Sequence, residues 1–212
     1  DLVHLKEIIK PNFREQYLCN VESVTVAVDV QNPLLGPNGC TRVYGPQKGL
    51  CEEDFPRAEA ALTRLAEVWA NQTGEDAANL AGAGAAGGLG FGLHCFAGAE
   101  IRSGFEIFAE TTGLEKILQK VDIVTTGEGA MDRQTVMGKG VGELAKMARV
   151  NDCRCLGLAG HLEDHLELND HFEQCRALSE ITSQDEAQQN PTQWLEKLAA
   201  ETAEKISETE PT

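Results

Sequence analysis

A segment rich in glycine and carboxylates, residues 126–134, constrains this chain more than any other stretch. It directly follows residues 121–125, a largely apolar and β-branched run that predicts a buried strand. Glu128 and Asp132 are therefore predicted to lie just past the carboxyl end of a strand, in a turn whose glycines let another molecule approach. Because ligands of open α/β sheets bind outside the carboxyl ends of the strands, this acidic turn is the first candidate site.

The second half of the chain has the pattern of a βαβ unit. After the acidic turn, residues 141–150 predict a helix and residues 155–159 predict a second strand. We expect the two strands to be parallel, with a right-handed crossover. Residues 177–181 are a candidate third strand, and a last helix is predicted to start near Pro191.

The first half is less regular and contains more loops. Residues 24–30 predict a buried strand, glycine and proline mark loops at 32–39 and 45–49, and a helix is predicted over roughly 54–72. The stretch 82–92 is glycine-rich and leads into another predicted helix with small side chains at its start. Further on, 107–118 is expected to be helical in its second half, with a break at Gly113. A composition shift near 118–121 then separates two structural regions. The second region is predicted to be regular α/β and the first, which is less regular, α+β, so the predicted fold class of the chain is α/β.

Charge and cysteine content exclude several classes of protein. The net charge of −16 disfavours nucleic-acid partners and anionic membrane surfaces, so an anionic substrate needs local cations, backbone N–H groups or a metal ion. No stretch approaches the ~20 apolar residues that cross a bilayer. The seven cysteines form no Cys-x-x-Cys pair, which is typical of free thiols in a reducing cytosol, so a cytoplasmic location is expected.

The carboxylates are the strongest chemical candidates. Asp29, at the end of the predicted first strand, could act as a general base or metal ligand, or could cap the following turn. Glu128 and Asp132 suit Mg²⁺, which takes one or two protein carboxylates plus phosphate oxygens and waters, although an acidic surface turn has the same spacing. Lys139 could reach a phosphate.

Two further motifs are weaker. Gly82, Gly84 and Gly87 satisfy Gly-x-Gly-x-x-Gly, but residues 75–79 before them do not predict the strand that a nicotinamide-binding fingerprint requires. Close backbone packing at a helix start and phosphate binding both remain open for this stretch. Residues 161–165 carry two histidines and are interpreted as a solvated acidic loop rather than a metal site.

Taken together, these segments resemble the bacterial glycerate kinase family of the class I type. The matching segments follow the family's order and spacing over about the first three quarters of the chain: 27–36, 45–49, 82–88, 98–104, the acidic turn and 158–160. Two positions depart from the family pattern, with Ala130 where an arginine is usual and Met137 where a histidine is usual.

The resemblance implies ATP-dependent phosphorylation of D-glycerate to phosphoglycerate with Mg²⁺. It also implies two domains, a Rossmann-like parallel sheet and a family-specific mixed α/β domain, with the active site between them. Family members are longer, and this chain corresponds to roughly their C-terminal half, so both domains are expected to be incomplete. Residues 1–118 would belong to the family-specific domain and 119–212 to the Rossmann-like domain.

Roles carried over from the resemblance are expectations for individual residues. Asp29 and Lys48 are the predicted catalytic residues, with Asp29 acting on the glycerate hydroxyl. The other predicted positions are substrate-binding Asn32, Gly87 and Gly88, the two glycines through their backbone N–H groups, cofactor-binding Gly127, Glu128, Gly129 and Lys139, and metal-binding Glu128 and Asp132.

Activity of the 212-residue chain by itself is a separate question. We expect the piece alone to be inactive and to pair with a missing N-terminal half or with a second copy of itself. The alternative hypothesis is a non-catalytic remnant of the kinase fold that serves as a binding or assembly module.

Overall fold

The structure is a computed structural model of the chain, which has a mixed α/β fold with parallel sheets. It describes residues 2–9, 20–136, 138, 140–163, 168 and 170–209, without the side chains of 133, 134, 208 and 209. The chain forms two compact units, Asp1–Ile107 and Phe108–Thr212. The assignment of 1–118 and 119–212 to two family domains is a different kind of division and stays a prediction.

In the described part of the first unit, two short parallel strands pair with each other. Strand β1 is Thr25–Val28 and strand β2 is Glu100–Ser103, with Val26 opposite Ile101. The helices are α1 Cys40–Tyr44, α2 Phe55–Thr73, α3 Ala85–Ala97 and the start of α4 Gly104–Thr112, and 3₁₀ turns cover Leu2–His4, Pro46–Lys48 and Glu52–Asp54.

Helix α2 confirms the helix predicted from the apolar stripe at 54–72. It has a proline in its first turn and ends at Gly74, whose left-handed backbone (φ +77°) lets its N–H donate to the carbonyl of Ala70. The buried face of α2 contributes Trp69, which packs edge-to-face on Phe96 with 5.5 Å between ring centroids. Leu34 and Phe91 complete this core, both at most 1% exposed.

In the described part of the second unit, three strands form a parallel sheet in the order β3-β4-β5. They are β3 Ile123–Met131, β4 Arg154–Leu162 and β5 Gln174–Ala177. The helices are α5 Leu114–Leu118, α6 Gly140–Val150, α7 Gln184–Gln189 and α8 Pro191–Thr209, with 3₁₀ turns at Arg133–Val136 and Leu178–Glu180. The parallel pairing of β3 and β4 around α6 confirms the predicted parallel βαβ arrangement.

The acidic segment is not a turn, contrary to the prediction. Strand β3 runs on to Met131, so Glu128 lies within the strand and Asp132 directly after it. The strand continues because β4 pairs with it as far as Leu162, and glycine allows the close approach. A Cβ placed on Gly127 would lie 2.2 Å from the carbonyl oxygen of Leu158.

Three other predictions at element ends were wrong in part. His161 lies in β4 rather than in a loop, and His165 lies outside the described residues. The third strand covers Gln174–Ala177, and the residues after it form a 3₁₀ turn. The stretch before Gly113 is also helical, since α4 ends at Thr112 and a separate helix, Leu114–Leu118, follows Gly113; the predicted break at Gly113 (φ +63°) is confirmed.

The cysteines of the described residues are free thiols, as expected. Burial raises the pKa of Cys155 to about 12, with smaller contributions from the neighbouring thiols Cys175 and Cys153. Burial likewise raises the pKa of Cys175 to about 11. Among the described residues, no helix combines the length and the apolar character that crossing a membrane requires.

Candidate functional site

The second unit contains a cleft of about 1210 Å³. Its floor comes from the carboxyl halves of β3 (residues 125–130) and β4 (residues 158–161). Its walls come from the 3₁₀ turn after β5 and from α7 and α8, which contribute Leu178, Gln188 and Leu195. The position follows the general rule for parallel sheets, and the volume suits a ligand of nucleotide size.

Glu128 and Asp132, the two predicted carboxylates, are joined through a third residue. The hydroxyl of Thr135 donates to Glu128 Oε1 at 2.5 Å and accepts the backbone N–H of Asp132 at 3.0 Å. The backbone N–H of Thr135 donates to Asp132 Oδ1 at 3.2 Å. Glu128 is also among the residues that line the cleft, so the structure links a residue of the cleft to the carboxylate that follows the strand.

Thr135 was missed by the sequence reasoning. The signal that could have found it is its spacing from Asp132, since a polar residue followed three positions later by a second one is the pattern of a reciprocal cap. Here the two residues exchange backbone and side-chain bonds at the start of the 3₁₀ turn Arg133–Val136. The threonine side chain is fully buried, so no water competes for its hydroxyl.

The donors at this place are hard oxygens, which is the chemistry that Mg²⁺ prefers. Two protein carboxylates are as many as Mg²⁺ usually takes, with phosphate oxygens and waters completing its shell. Over the described residues, no group of three or more His, Cys, Asp or Glu side chains has a geometry that could hold a metal ion by itself. The residues present therefore fit a magnesium–phosphate ligand.

The surroundings of this pair depart from the expected set in two ways. Ala130 is an exposed strand residue that brings no cation to the cleft. Lys139, predicted to bind the cofactor, and Met137 lie outside the described residues. Gly127 and Gly129 both line the cleft beside Glu128, and their role in binding a cofactor stays a prediction.

The first unit has a smaller hollow of about 280 Å³ that contains Asp29. Asp29 directly follows β1 and is exposed, as expected for a carboxylate at a strand end. The hollow is also lined by Tyr44 and by the first residues of α3, Ala85 and Ala86. Burial raises the pKa of the Tyr44 phenol, and the charge of Asp29 adds to this, which indicates that the two groups lie near each other.

Asn32 connects three parts of the first unit. Its side-chain oxygen accepts the Tyr44 hydroxyl at 2.6 Å, and its amide nitrogen donates to the Asn38 carbonyl at 2.8 Å. Its backbone carbonyl accepts the N–H of Gly84 at 2.9 Å. An amide has capacity for two bonds on each side, so Asn32 has a structural role and can still offer one N–H to a ligand.

The predicted use of the Gly87 and Gly88 N–H groups is not supported. Residues 86–88 all have left-handed backbone, with φ of +52°, +78° and +100°, and bend the chain back on itself. Both glycine N–H groups consequently donate to the carbonyl of Gly84, at 3.1 and 3.2 Å. What the bend provides is open space, because the nearest atom to a Cβ built on Gly87 is Cε of Lys48, 3.9 Å away.

The structure therefore groups the predicted site residues in two places. The first unit brings Asp29 and Asn32 beside Tyr44, and it places Lys48 next to Gly87. The second unit brings together the cleft glycines, Glu128 and Asp132.

Comparisons with known proteins point to one family. The model of the glycerate kinase family matches residues 1–207. Glycerate 2-kinase of Escherichia coli is 40% identical over 141 residues, 66% of this chain and 37% of that protein. Glycerate kinase of Halalkalibacterium halodurans is 37% identical over 177 residues, 82% of this chain and 47% of that protein. A crystal structure from Salmonella typhimurium LT2 has a TM-score of 0.55 and 40% identity, covering 73% of this chain and 40% of that one. The chain thus spans less than half the length of these relatives.

Proposed function

The chain belongs to the glycerate kinase family, and we therefore propose that it carries part of the active site of a kinase that transfers a phosphoryl group from ATP to D-glycerate. The observation that carries the proposal is Glu128, which lines a nucleotide-sized cleft and is joined through Thr135 to Asp132. Phosphoryl transfer depends mainly on positioning and charge neutralisation, and a Mg²⁺ ion held by these two carboxylates would supply the neutralising charge.

The nucleotide end of the reaction is proposed for the second unit. Glu128 and Asp132 would hold Mg²⁺, whose charge offsets that of the phosphates when it is bound. Gly127 and Gly129 leave the floor of the cleft without side chains, so phosphate oxygens can come close to the backbone. The apolar wall around Leu178 and Leu195 suits the uncharged part of a nucleoside.

The acceptor end is proposed for the first unit. Asp29 would accept the proton of the glycerate hydroxyl or orient that hydroxyl, as a carboxylate within hydrogen-bond reach can do. Lys48, beside the open bend at Gly87, would neutralise the carboxylate of glycerate or the transferred phosphate. The remaining amide N–H of Asn32 would fix the substrate in place.

Domain organisation and partners complete the proposal. Residues 1–118 would form part of the family-specific domain and 119–212 the C-terminal part of the Rossmann-like domain. Because the chain spans 37% to 47% of its relatives, we expect an N-terminal half or a second copy to complete the site.

The kinetic test is the Asp29→Ala variant of the protein that carries this chain. Removal of a catalytic base lowers kcat by about 100-fold or more, and we expect a loss of that size in a coupled assay of phosphoglycerate formation. Glu53→Ala, which changes an exposed carboxylate on a 3₁₀ turn of the same unit, should retain wild-type kcat. If kcat of the folded Asp29→Ala protein is unchanged, Asp29 only caps the turn.

A binding measurement separates this proposal from the alternative of a non-catalytic remnant. Isothermal titration of the 212-residue chain with ATP and Mg²⁺ should give a Kd in the micromolar to millimolar range. A remnant that serves only as an assembly module should bind neither ATP nor D-glycerate.

A further inference from the structure

We propose that Thr135 is the positioning residue of the nucleotide end, holding Glu128 and Asp132 in the arrangement that receives the metal–phosphate group. The inference rests on the proposed function, since it assigns a role toward the ligand of the same cleft. Thr135 acts through the two carboxylates and does not itself touch the ligand.

The hydrogen bonds leave the Thr135 hydroxyl one arrangement. It accepts the N–H of Asp132 at 3.0 Å, and a backbone N–H can only donate. A hydroxyl has a single proton, and the carboxylate of Glu128 is the acceptor 2.5 Å from its oxygen. The proton of Thr135 therefore points at Glu128 Oε1, and this bond fixes the position of the carboxylate oxygen.

Burial makes this arrangement specific. Thr135 is 0% exposed, so its hydroxyl has no water to turn to if the bond to Glu128 is lost. An unsatisfied polar group in such a place is costly, which keeps the Glu128 side chain bonded on the Thr135 side. The same residue fixes Asp132 through the backbone N–H of Thr135, 3.2 Å from Oδ1.

Thr135 is itself held by the helix that follows. A Cβ on Gly142 of α6 would lie 2.0 Å from the carbonyl oxygen of Thr135, so helix and 3₁₀ turn are in direct backbone contact. Lys146, one turn further along α6, donates to the carbonyl of Val136 at 2.8 Å and to Glu143 at 2.8 Å. The side chain that orients the carboxylates thus stands on a rigid element, as a preorganised site requires.

The test compares Thr135→Val, which keeps the shape and removes the hydroxyl, with Thr135→Ser, which keeps the hydroxyl. The readout is binding of Mn²⁺ in the presence of ATP, followed by the electron paramagnetic resonance signal of free Mn²⁺. Loss of an orienting partner weakens metal affinity by about 10–100-fold, and we expect that loss for valine and near wild-type affinity for serine. Steady-state kinetics should show a raised KM for Mg·ATP with an unchanged KM for D-glycerate.

Thr202→Val is the matched control. Thr202 is another buried threonine, 3% exposed, whose hydroxyl donates to the Leu198 carbonyl within α8. The Thr202→Val variant should bind Mn²⁺ in the presence of ATP like the wild type. This result would show that loss of a buried hydroxyl elsewhere does not weaken the site.

The outcomes separate the two proposals. If the wild type binds Mn²⁺ with ATP and Thr135→Val binds equally well, the positioning role is overturned while the proposed function stands. If the wild type does not bind Mn²⁺ in the presence of ATP, the proposed function fails and this inference fails with it. A second comparison, of Thr135→Ser with Thr135→Ala, removes the hydroxyl without adding the extra methyl group of valine. Equal Mn²⁺ affinities of these two variants overturn the inference as well.

Discussion

The two units both place glycines at their candidate sites, yet glycine has a different function in each. In the first unit, Gly87 and Gly88 adopt left-handed backbone and allow the chain to bend at the start of α3. In the second unit, Gly127 is an ordinary strand residue whose missing side chain lets β3 approach β4 closely. A glycine-rich stretch in a sequence therefore indicates a tight place without saying whether the backbone turns there or two backbones meet.

The hollows differ in a related way. The first unit bends loops around a space of about 280 Å³, which suits a three-carbon acid, whereas the second unit uses strand ends and helices to enclose about 1210 Å³. The small hollow lies between β1, Tyr44 at the end of α1 and the start of α3, whereas the large one lies on a three-stranded sheet. We expect substitutions in the sheet of the second unit to lower the stability of the fold. Substitutions around the small hollow should mainly lower the affinity for substrate.

The largest expected effect on stability is that of Gly127→Ala. The new Cβ would lie 2.2 Å from the Leu158 carbonyl oxygen, so β3 and β4 must separate, and overpacking of this kind costs about 3 kcal/mol in free energy of unfolding. Unfolding by urea measures this loss of free energy of unfolding. Gly129→Ala is the control in the same strand, because no atom lies within 4 Å of its Cβ position. Equal stability of the two variants would contradict the close-approach role of Gly127.

A smaller loss is expected for Gly87→Ala in the first unit. Its Cβ has room, so the cost comes from the left-handed backbone alone and is about 1–2 kcal/mol. The measurement is the Tm of Gly87→Ala compared with that of Gly92→Ala. Gly92 lies in the same helix and has no atom within 4 Å of its Cβ position. An alanine in a helix interior is favoured over glycine by about 1 kcal/mol, so Gly92→Ala should raise the Tm. If both alanines raise the Tm, the bend at 86–88 is not required by the fold.

The smallest effect concerns the pH dependence of the second unit. The guanidinium of Arg154 contacts Glu173 through two nitrogens, at 2.7 and 2.6 Å, and this hydrogen bonding holds the pKa of Glu173 below its usual 4.5. A carboxyl with a depressed pKa in the folded state stabilises the fold above its unfolded pKa. That stabilisation is lost as the pH falls through the lower folded value.

The measurement for Glu173 is the free energy of unfolding of wild type and Glu173→Gln between about pH 6 and pH 3. Because the pair is partly exposed, the difference near pH 6 should be only about 0.5–1 kcal/mol, and it should shrink as the pH falls. Glu67→Gln in the first unit, whose contact with Arg64 is longer at 3.5 Å, should change less. A difference for Glu173→Gln that grows toward low pH would contradict the assigned sign.

The sequence predicted elements wherever a local pattern determined them. The apolar stripe of α2, the break at Gly113 and the parallel pairing across α6 all follow from periodicity and punctuation. The far end of β3 did not follow, because glycines that mark a turn in isolation were instead required by pairing with β4. Local propensity gave way there to a contact with a strand that comes later in the chain.

The candidate site was predictable by residue type and much less by hydrogen bonding. Glu128 and Asp132 stood out as carboxylates, and the spacing of Asp132 and Thr135 is that of a reciprocal cap. The bond from Thr135 to Glu128 is visible only once the 3₁₀ turn brings the hydroxyl back to the strand. Similarly, nothing in the sequence shows that the Gly87 N–H already donates to Gly84. Partners of this kind are set by three-dimensional geometry, and a one-dimensional pattern does not encode them.

The buried thiols of the second sheet have a chemical consequence. Reaction with peroxides and alkylating agents proceeds through the thiolate, and burial keeps Cys155 and Cys175 protonated, with pKa values of about 12 and 11. Oxidative stress should therefore modify the exposed Cys51 well before it reaches the strands that carry the cleft. The sheet is shielded from a common form of chemical ageing without any disulfide among its described residues.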